Sequence, residues 1–346
     1  MTIAIIGAGA AGLSAGLTLR TYDMITLYEK SHGRGGRVAT RWHDLPDGQR
    51  VYVDHGAQYL RDETPEMHRL MKKLLPIEEL NDIARPVWTF DAANQISAGD
   101  RQQNEAPKWS YSQGLGTFGK MMVKRGSLQV RGEVRIGKLA YADGLYALFD
   151  TDNNQVGNAD RLVIAIPAEQ AADLIAASDL PAPERLTLET ALRAASYRRC
   201  LSVTLGFDRV LTTRQYYALI NSDKAHPLSW LAFEHDKPGH VPPGHSVLVA
   251  QMAGAYSLEH WEMPGPELIA EVAAMVSELI GEDVKSATWS DTQRWRYSQP
   301  ETLVAASNLN GVLKGLWFAG DYTLGGRVHL AVQSGIDAGL QIAQTY

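Results

Sequence analysis

The chain has 346 residues, 45% hydrophobic and 21% charged, which suits one large domain or two interlocked ones and excludes disorder, coiled coil and collagen. Its net charge of −6, from 33 Lys and Arg against 39 Asp and Glu with no long basic run, lacks the electrostatic footprint of a nucleic-acid binder. The one cysteine, Cys200, can form neither an intrachain disulfide nor a thiolate metal cage. It reads as a small buried apolar residue and fits a reducing compartment.

Residues 1–19 carry no charge, yet no positive charge precedes Ile3, and Gly7, Gly9, Gly12 and Gly16 would make a poor spanning helix. The better reading is a buried strand over 3–6, a sharp turn and a small-residue helix over 10–21. No membrane span is expected, and the protein is expected to be cytoplasmic. A second strand follows over 24–28, completing a βαβ unit. Residues 64–75 predict a helix capped by Thr64 with Pro65 in its first turn. Beyond it come a strand over 87–90, a helix over 117–125, strands over 128–130, 145–149 and 162–166, and a helix over 168–177. From about 196 to 255 the pattern turns β-rich, with runs over 201–207, 216–220 and 247–252 between Pro and Gly turns. A helix over 266–280, a strand over 316–319 and a long helix from about 329 close the chain. These elements predict an α/β fold with an inserted α+β domain on a mixed sheet. Residues 1–62, 112–168 and 290–346 would form a discontinuous dinucleotide-binding domain. Residues 63–111 and 169–289 would form the substrate domain.

Gly7-Ala8-Gly9-Ala10-Ala11-Gly12 matches G-x-G-x-x-G between a buried strand and a helix start. The first Gly permits the turn, the second lets backbone approach a pyrophosphate, and the third lets helix pack on strand. Glu29, at the end of the second strand, is placed to bind the ribose hydroxyls of an adenosine. The continuation, Glu29-Lys30 through Gly33-Arg34-Gly35-Gly36-Arg37, resembles the amine oxidase type of flavoprotein, in which an acidic residue is followed eight positions later by the Arg of a G-G-R motif. Ala319-Gly320-Asp321, followed by Gly325-Gly326-Arg327 and a helix with Ser334-Gly335, resembles the second FAD signature of that family. The resemblance implies a Rossmann-type FAD-binding domain, with Gly7, Gly9, Ala11, Gly12, Glu29, Lys30, Gly36, Arg37, Gly56, Ala57, Gln58, Val134, Gly320, Asp321, Val328 and Leu330 at the cofactor. Without a cysteine in the second signature, the FAD is expected to be non-covalent.

Within that superfamily, Asp54-His55-Gly56-Ala57-Gln58-Tyr59 resembles the D-x-G-A-Q-Y segment of the renalase family. Arg294-Trp295-Arg296-Tyr297-Ser298-Gln299-Pro300 resembles a second stretch of the same family. That resemblance implies oxidation of 2- or 6-dihydro isomers of NAD(P)H to NAD(P)+, with O2 reoxidising the flavin and yielding hydrogen peroxide. Amine oxidases usually place a Lys, through a water, against the flavin; strand Tyr197–Thr204 has no Lys, and Ser202 stands at that place. A dihydropyridine loses only hydride and becomes an aromatic cation, so it requires no general base. Gln58, Tyr59, Gln251, Trp295 and Arg296 are the candidates for holding the ring, with Gln251 standing where renalases tend to place His. Core packing, an ion pair and a strand hydrogen bond are their bland alternatives. His235, His240 and His245 recur at intervals of five and read as a solvated loop rather than a metal site. Trp42, His43 and His329 lie near the FAD motifs without a role assigned by the sequence. An amine, polyamine, porphyrinogen or carotenoid-like oxidase or desaturase stays open as a second reading, and an idle flavin-binding module as a third.

Overall fold

Strand Ile3–Ile6 is wholly buried, and its alternation divides two cores. Ile3 and Ile5 pack against helices Ala10–Thr18, Gly116–Gly126 and Val328–Ala343, whereas Ala4 and Ile6 pack against the antiparallel meander Ile136–Ala142, Leu145–Asp150 and Gln155–Ala159. Covering both faces is what permits an uninterrupted apolar strand. In the computed structural model, which describes residues 2–22 and 24–345, this strand is central to a five-stranded parallel sheet. The order is Leu316–Phe318, Arg161–Ile164, Ile3–Ile6, Ile25–Tyr28 and Gln129–Arg131. The expected domain limits at 1 and 346 lie outside the described residues.

The second sheet has seven strands in the order Trp289–Thr302, Ser196–Phe207, Ser246–Met252, Leu228–Phe233, Ala218–Asn221, Val87–Phe90 and Ile96–Ser97. Its pairings are antiparallel except Ala218–Asn221 beside Val87–Phe90, so the sheet is mixed as expected. Leu201, Val203 and Leu205 cover one face with helix Gly265–Ile280, whose Leu268, Val272 and Val276 bury against them. The opposite face meets hairpin Thr40–Asp44/Arg50–Asp54 through Val51, Val53, Val247 and Val249. Ser202, between Leu201 and Val203, therefore points toward the hairpin face.

Two expected boundaries move. Strand Trp289–Thr302 pairs along nearly the whole of Ser196–Phe207, so it belongs to the seven-stranded sheet and not with 290–346 in the nucleotide domain. Helices Ala168–Ala176 and Ala182–Arg193 bury Leu174, Ile175, Leu188 and Leu192 in the core of Leu162 and Ile164, so they belong with the parallel sheet rather than after a boundary at 169. Residues 64–75 depart from one regular helix. Thr64 Oγ1 accepts from Met67 N at 3.2 Å, but after Arg69 the chain widens into a π turn, Leu70–Leu74, that buries Leu70, Met71 and Leu75 in the nucleotide-side core.

Candidate functional site

Gly7 has φ +104°, and a Cβ there would lie 2.6 Å from the Ala165 carbonyl oxygen. Gly12 is tighter still, with an added Cβ 1.9 Å from the Gly7 carbonyl oxygen. Gly9 differs from both: a Cβ would meet nothing within 4 Å, and it precedes helix Ala10–Thr18, whose start has no side-chain cap. The turn is thus tight on its inner side and open at the helix N-terminus, where free N–H groups and the helix dipole favour an anion. Ala11 is buried and packs on the last helix. Gly35 N donates to Ala8 O at 2.8 Å, and a Cβ on Gly36 would lie 3.2 Å from Gly9 Cα, so the second glycine run lies along the first. Glu29 accepts from Ala8 N at 2.8 Å and from Ser31 N at 2.9 Å, which fixes its carboxylate beside the turn. Val134 N donates to Glu29 O at 2.9 Å, and exposed Lys30 reaches Gln170 at 3.5 Å.

Arg37 and Asp321 come together across the chain. The guanidinium donates to Asp321 Oδ2 at 2.5 Å and Oδ1 at 2.9 Å, and also to the Tyr297 carbonyl at 3.0 Å. Tyr197 Oη donates to the same carboxylate at 3.3 Å. Gly320 N donates to Ser334 Oγ at 3.0 Å, which ties the strand end to helix Val328–Ala343. Val328 and Leu330 are half-buried in that helix's first turn, and its start also lacks a side-chain cap. His329 Nε2 lies 3.5 Å from Glu63 and takes no part in the Arg37–Asp321 contacts.

The segment Asp54–Tyr59 crosses over the seven-stranded sheet. Gln251 Nε2 donates to Gly56 O at 2.7 Å, and Trp295 Nε1 donates to His55 O at 3.0 Å. Gln58 donates to Asp54 O and accepts from Trp230 Nε1 at 3.3 Å. Ala57 N donates to Arg37 O at 3.0 Å, joining this segment to the glycine run. Under it, register places Gln293, Ser202, Gln251 and Trp230 side by side on adjacent strands, hence on one face. Ser202 Oγ is buried without a partner, and so is His55 Nδ1. The His55 ring stacks on Trp295 with centroids 5.2 Å apart. Burial, then the Arg41 charge, lowers the His55 imidazole to about 4, so it is neutral at pH 7. Tyr59 is half-buried against Tyr217 and Trp230. Arg296 is exposed and makes none of these contacts. Trp42 is 60% exposed, and His43 stacks on Trp289 at 4.2 Å, away from the Gly56 carbonyl contacts.

Sequence reasoning passed over His55, Trp230 and Gln293, the last of which accepts from Arg41. His55 was visible in the motif that carries Gly56; strand pairing, which no motif records, delivers the other two. The solvated loop expected around His240 is a correction. Lys237 and His240 are buried, because two carboxylates, Asp54 and Glu234, wait inside for them.

Residues 79–342 match the family model described as flavin containing amine oxidoreductase, and residues 5–74 match the NAD(P)-binding Rossmann-like domain. The chain belongs to the flavin-containing amine oxidoreductases. Its fold is similar to a structure assigned as a protoporphyrinogen oxidase from Exiguobacterium sp. 255-15, at 15% identity and TM-score 0.78 over 100% of this chain and 99% of that one. It is also similar to cyclohexylamine oxidase from Brevibacterium oxydans IH-35A, at 12% identity and TM-score 0.74 over 99% of both chains. Wild-type putrescine oxidase bound to putrescine matches at 12% identity and TM-score 0.73, again over 99% of both.

FAD is the cofactor of this flavoprotein, and the residues present fit it. The open position at Gly9 admits a pyrophosphate that any Cβ would crowd, and Glu29 keeps lone pairs for ribose hydroxyls. The Arg37–Asp321 pair would offer polar groups to the bound dinucleotide. The uncapped start of helix Val328–Ala343 offers N–H donors to ring carbonyls. Unpartnered Ser202 Oγ and His55 Nδ1 mark where bound groups can complete the hydrogen bonding. Among the described residues, no helix is long and apolar enough to cross a membrane.

Proposed function

We propose that this flavoprotein oxidises 2- or 6-dihydro isomers of NAD(P)H to NAD(P)+, with non-covalent FAD, in the cytoplasm. The observation that carries the reading is the row Gln293, Ser202, Gln251 and Trp230, which offers amides, a hydroxyl and an indole where a proton-abstracting substrate would call for a base. His55 lies nearby, and an imidazole lowered to about 4 is a weak base at neutral pH. Bound FAD supplies a two-electron acceptor that O2 reoxidises with release of hydrogen peroxide. The substrate contributes one C–H bond, broken with both electrons leaving as hydride; the ring becomes an aromatic pyridinium and no proton has to leave it. The chain's work is then positioning. Trp295 and Trp230 offer flat apolar surfaces, and Gln251, held by Gly56 O, offers an oriented amide. Arg296 is exposed and stands apart from this set.

Anaerobic stopped-flow mixing of the yellow protein with 2- and 6-dihydroNAD(P), using NADH and a polyamine as controls, tests the substrate. Rapid flavin bleaching by the isomers alone supports the reading. Bleaching by the amine, with none by the isomers, replaces it with amine oxidation. After trichloroacetic acid precipitation the yellow colour should stay in the supernatant, and colour in the pellet would overturn non-covalent attachment.

A further inference from the structure

After strand Leu228–Phe233 the side chains of Glu234, Lys237 and His240 turn inward and meet Asp54, and none of the four is exposed. Lys237 Nζ lies 3.1 Å from Asp54 Oδ2 and 2.6 Å from Glu234 Oε1. His240 Nδ1 lies 3.0 Å from Glu234 Oε2, while its Nε2 lies 3.0 Å from the Tyr111 carbonyl oxygen and from Ser110 Oγ. Carboxylate and carbonyl oxygens only accept, so Nδ1 donates to Glu234 and Nε2 to the Tyr111 carbonyl, with the Ser110 hydroxyl, which can donate or accept, beside it. Burial would raise the Glu234 carboxyl, but the Lys237 ammonium 2.6 Å away favours its ionised form. With an imidazolium the quartet carries two negative and two positive charges. With a neutral ring it would leave a net negative charge where no water reaches.

The quartet also grips the site. Asp54 Oδ1 accepts from Thr40 Oγ1 at 2.6 Å and from Leu115 N at 2.8 Å, and Asp54 N donates to Glu234 Oε2 at 3.1 Å. The hairpin, the start of helix Gly116–Gly126 and the segment after strand Leu228–Phe233 therefore meet at one side chain. The Asp54 carbonyl accepts from Gln58, whose other end accepts from Trp230 Nε1 on the row beneath. The neighbouring phenols, Tyr111 and Tyr217, are pushed up by burial and stay neutral, so they add no charge.

We propose that the Asp54–Glu234–Lys237–His240 quartet, with His240 a doubly protonated imidazolium, is a positioning device that sets the Asp54–Gln58 segment and, through Gln58 and Trp230, the face on which the flavin reaction runs. It rests on the chain's being a flavoprotein and not on which substrate is oxidised, so its test uses no substrate.

The test is a charge-balance cycle on the FAD-loaded protein: His240→Asn, Glu234→Gln and the double variant. Each single variant unbalances the quartet and the double restores balance. We expect each single change to weaken FAD binding at least tenfold and to alter the visible circular dichroism of bound flavin, with the double variant recovering most of both. Losses that multiply independently in the double variant, or unchanged flavin dichroism in folded, loaded single variants, would overturn the proposal. Should the single variants fail to fold, the wild-type protein decides it. Two-bond 1H–15N correlation of His240 at pH 7.5 should show both nitrogens protonated, and the pattern of a neutral tautomer would refute it.

Discussion

Gly9 and Gly12 belong to the same motif and do different work, which single substitutions separate. An added Cβ at Gly12 collides with the Gly7 backbone at 1.9 Å, so Gly12→Ala should destabilise even the cofactor-free protein by about 1–3 kcal/mol. At Gly9 the same methyl meets nothing. Gly9→Ala should therefore change cofactor-free stability by under about 1 kcal/mol, while raising the FAD Kd at least about tenfold, or ~1.4 kcal/mol. Urea unfolding of the apoprotein and FAD titration measure both; equal apoprotein stability in the two variants would contradict this division. The Arg37–Asp321 pair is a second case. Arg37→Met strands a buried carboxylate with Tyr197 as its remaining side-chain donor, yet the Arg37 side chain is 31% exposed, so water screens part of the loss. We expect about 2–3 kcal/mol of destabilisation. Arg37→Met with Asp321→Asn should recover about half of it in urea unfolding.

At the scale of elements, helices Ala10–Thr18 and Val328–Ala343 are held together by glycine. A Cβ on Gly335 would lie 2.0 Å from the Ala11 carbonyl oxygen, whereas one on Gly339 would meet Thr18 side-chain atoms at 2.9 Å. Thr18 Cβ is fixed to its backbone, so no rotamer relieves either overlap, but the one at Gly335 is the deeper and falls on a carbonyl oxygen, so Gly335→Ala should cost about 1–3 kcal/mol and lower FAD retention. Gly339→Ala should cost less than Gly335→Ala, and matched urea curves compare them. These helices and their sheet were legible because a strand buried on both faces, or a helix buried on one, prints its period in apolar residues. Hairpin Thr40–Asp44/Arg50–Asp54 was not, since Thr40, Trp42 and Tyr52 are only half-buried or exposed and the alternation is weak. Asp47-Gly48 at its turn was the signal available, with Gly48 at φ +84°. Strand Trp289–Thr302 hid for the same reason: it is an edge with both sides partly exposed. The residues that the resemblance implies at the FAD cluster in short contiguous motifs, the kind of signal a sequence prints. The quartet joins residues 54, 234, 237 and 240, and only the folded sheet brings them together.

The chain passes repeatedly between the parallel sheet and the mixed sheet, and Asp54 binds groups from three parts of it. One unfolding transition is therefore expected for both sheets, and groups in either report on the whole. His55 is held at about 4 in the folded protein against an ordinary value near 6.5. As pH falls between those values the unfolded chain takes up a proton that the folded one refuses, so stability present above 6.5 is lost, at up to about 1.4 kcal/mol per pH unit. His226, His235 and His329 are lowered by burial in the same direction and add to the slope. Glu234 acts lower down: its carboxyl is held at about 2, so the stability it contributes is present above about 4.5 and lost as pH falls toward 2. Urea unfolding of the FAD-loaded protein from pH 6.5 to 4 should show stability falling throughout. His55→Asn should flatten the fall between 6.5 and 4.5 by close to one proton and leave the collapse below 4.5 in place. A variant whose profile parallels the wild type would mean that His55 is already charged in the folded state, and the neutral imidazole beside Trp295 would have to be given up.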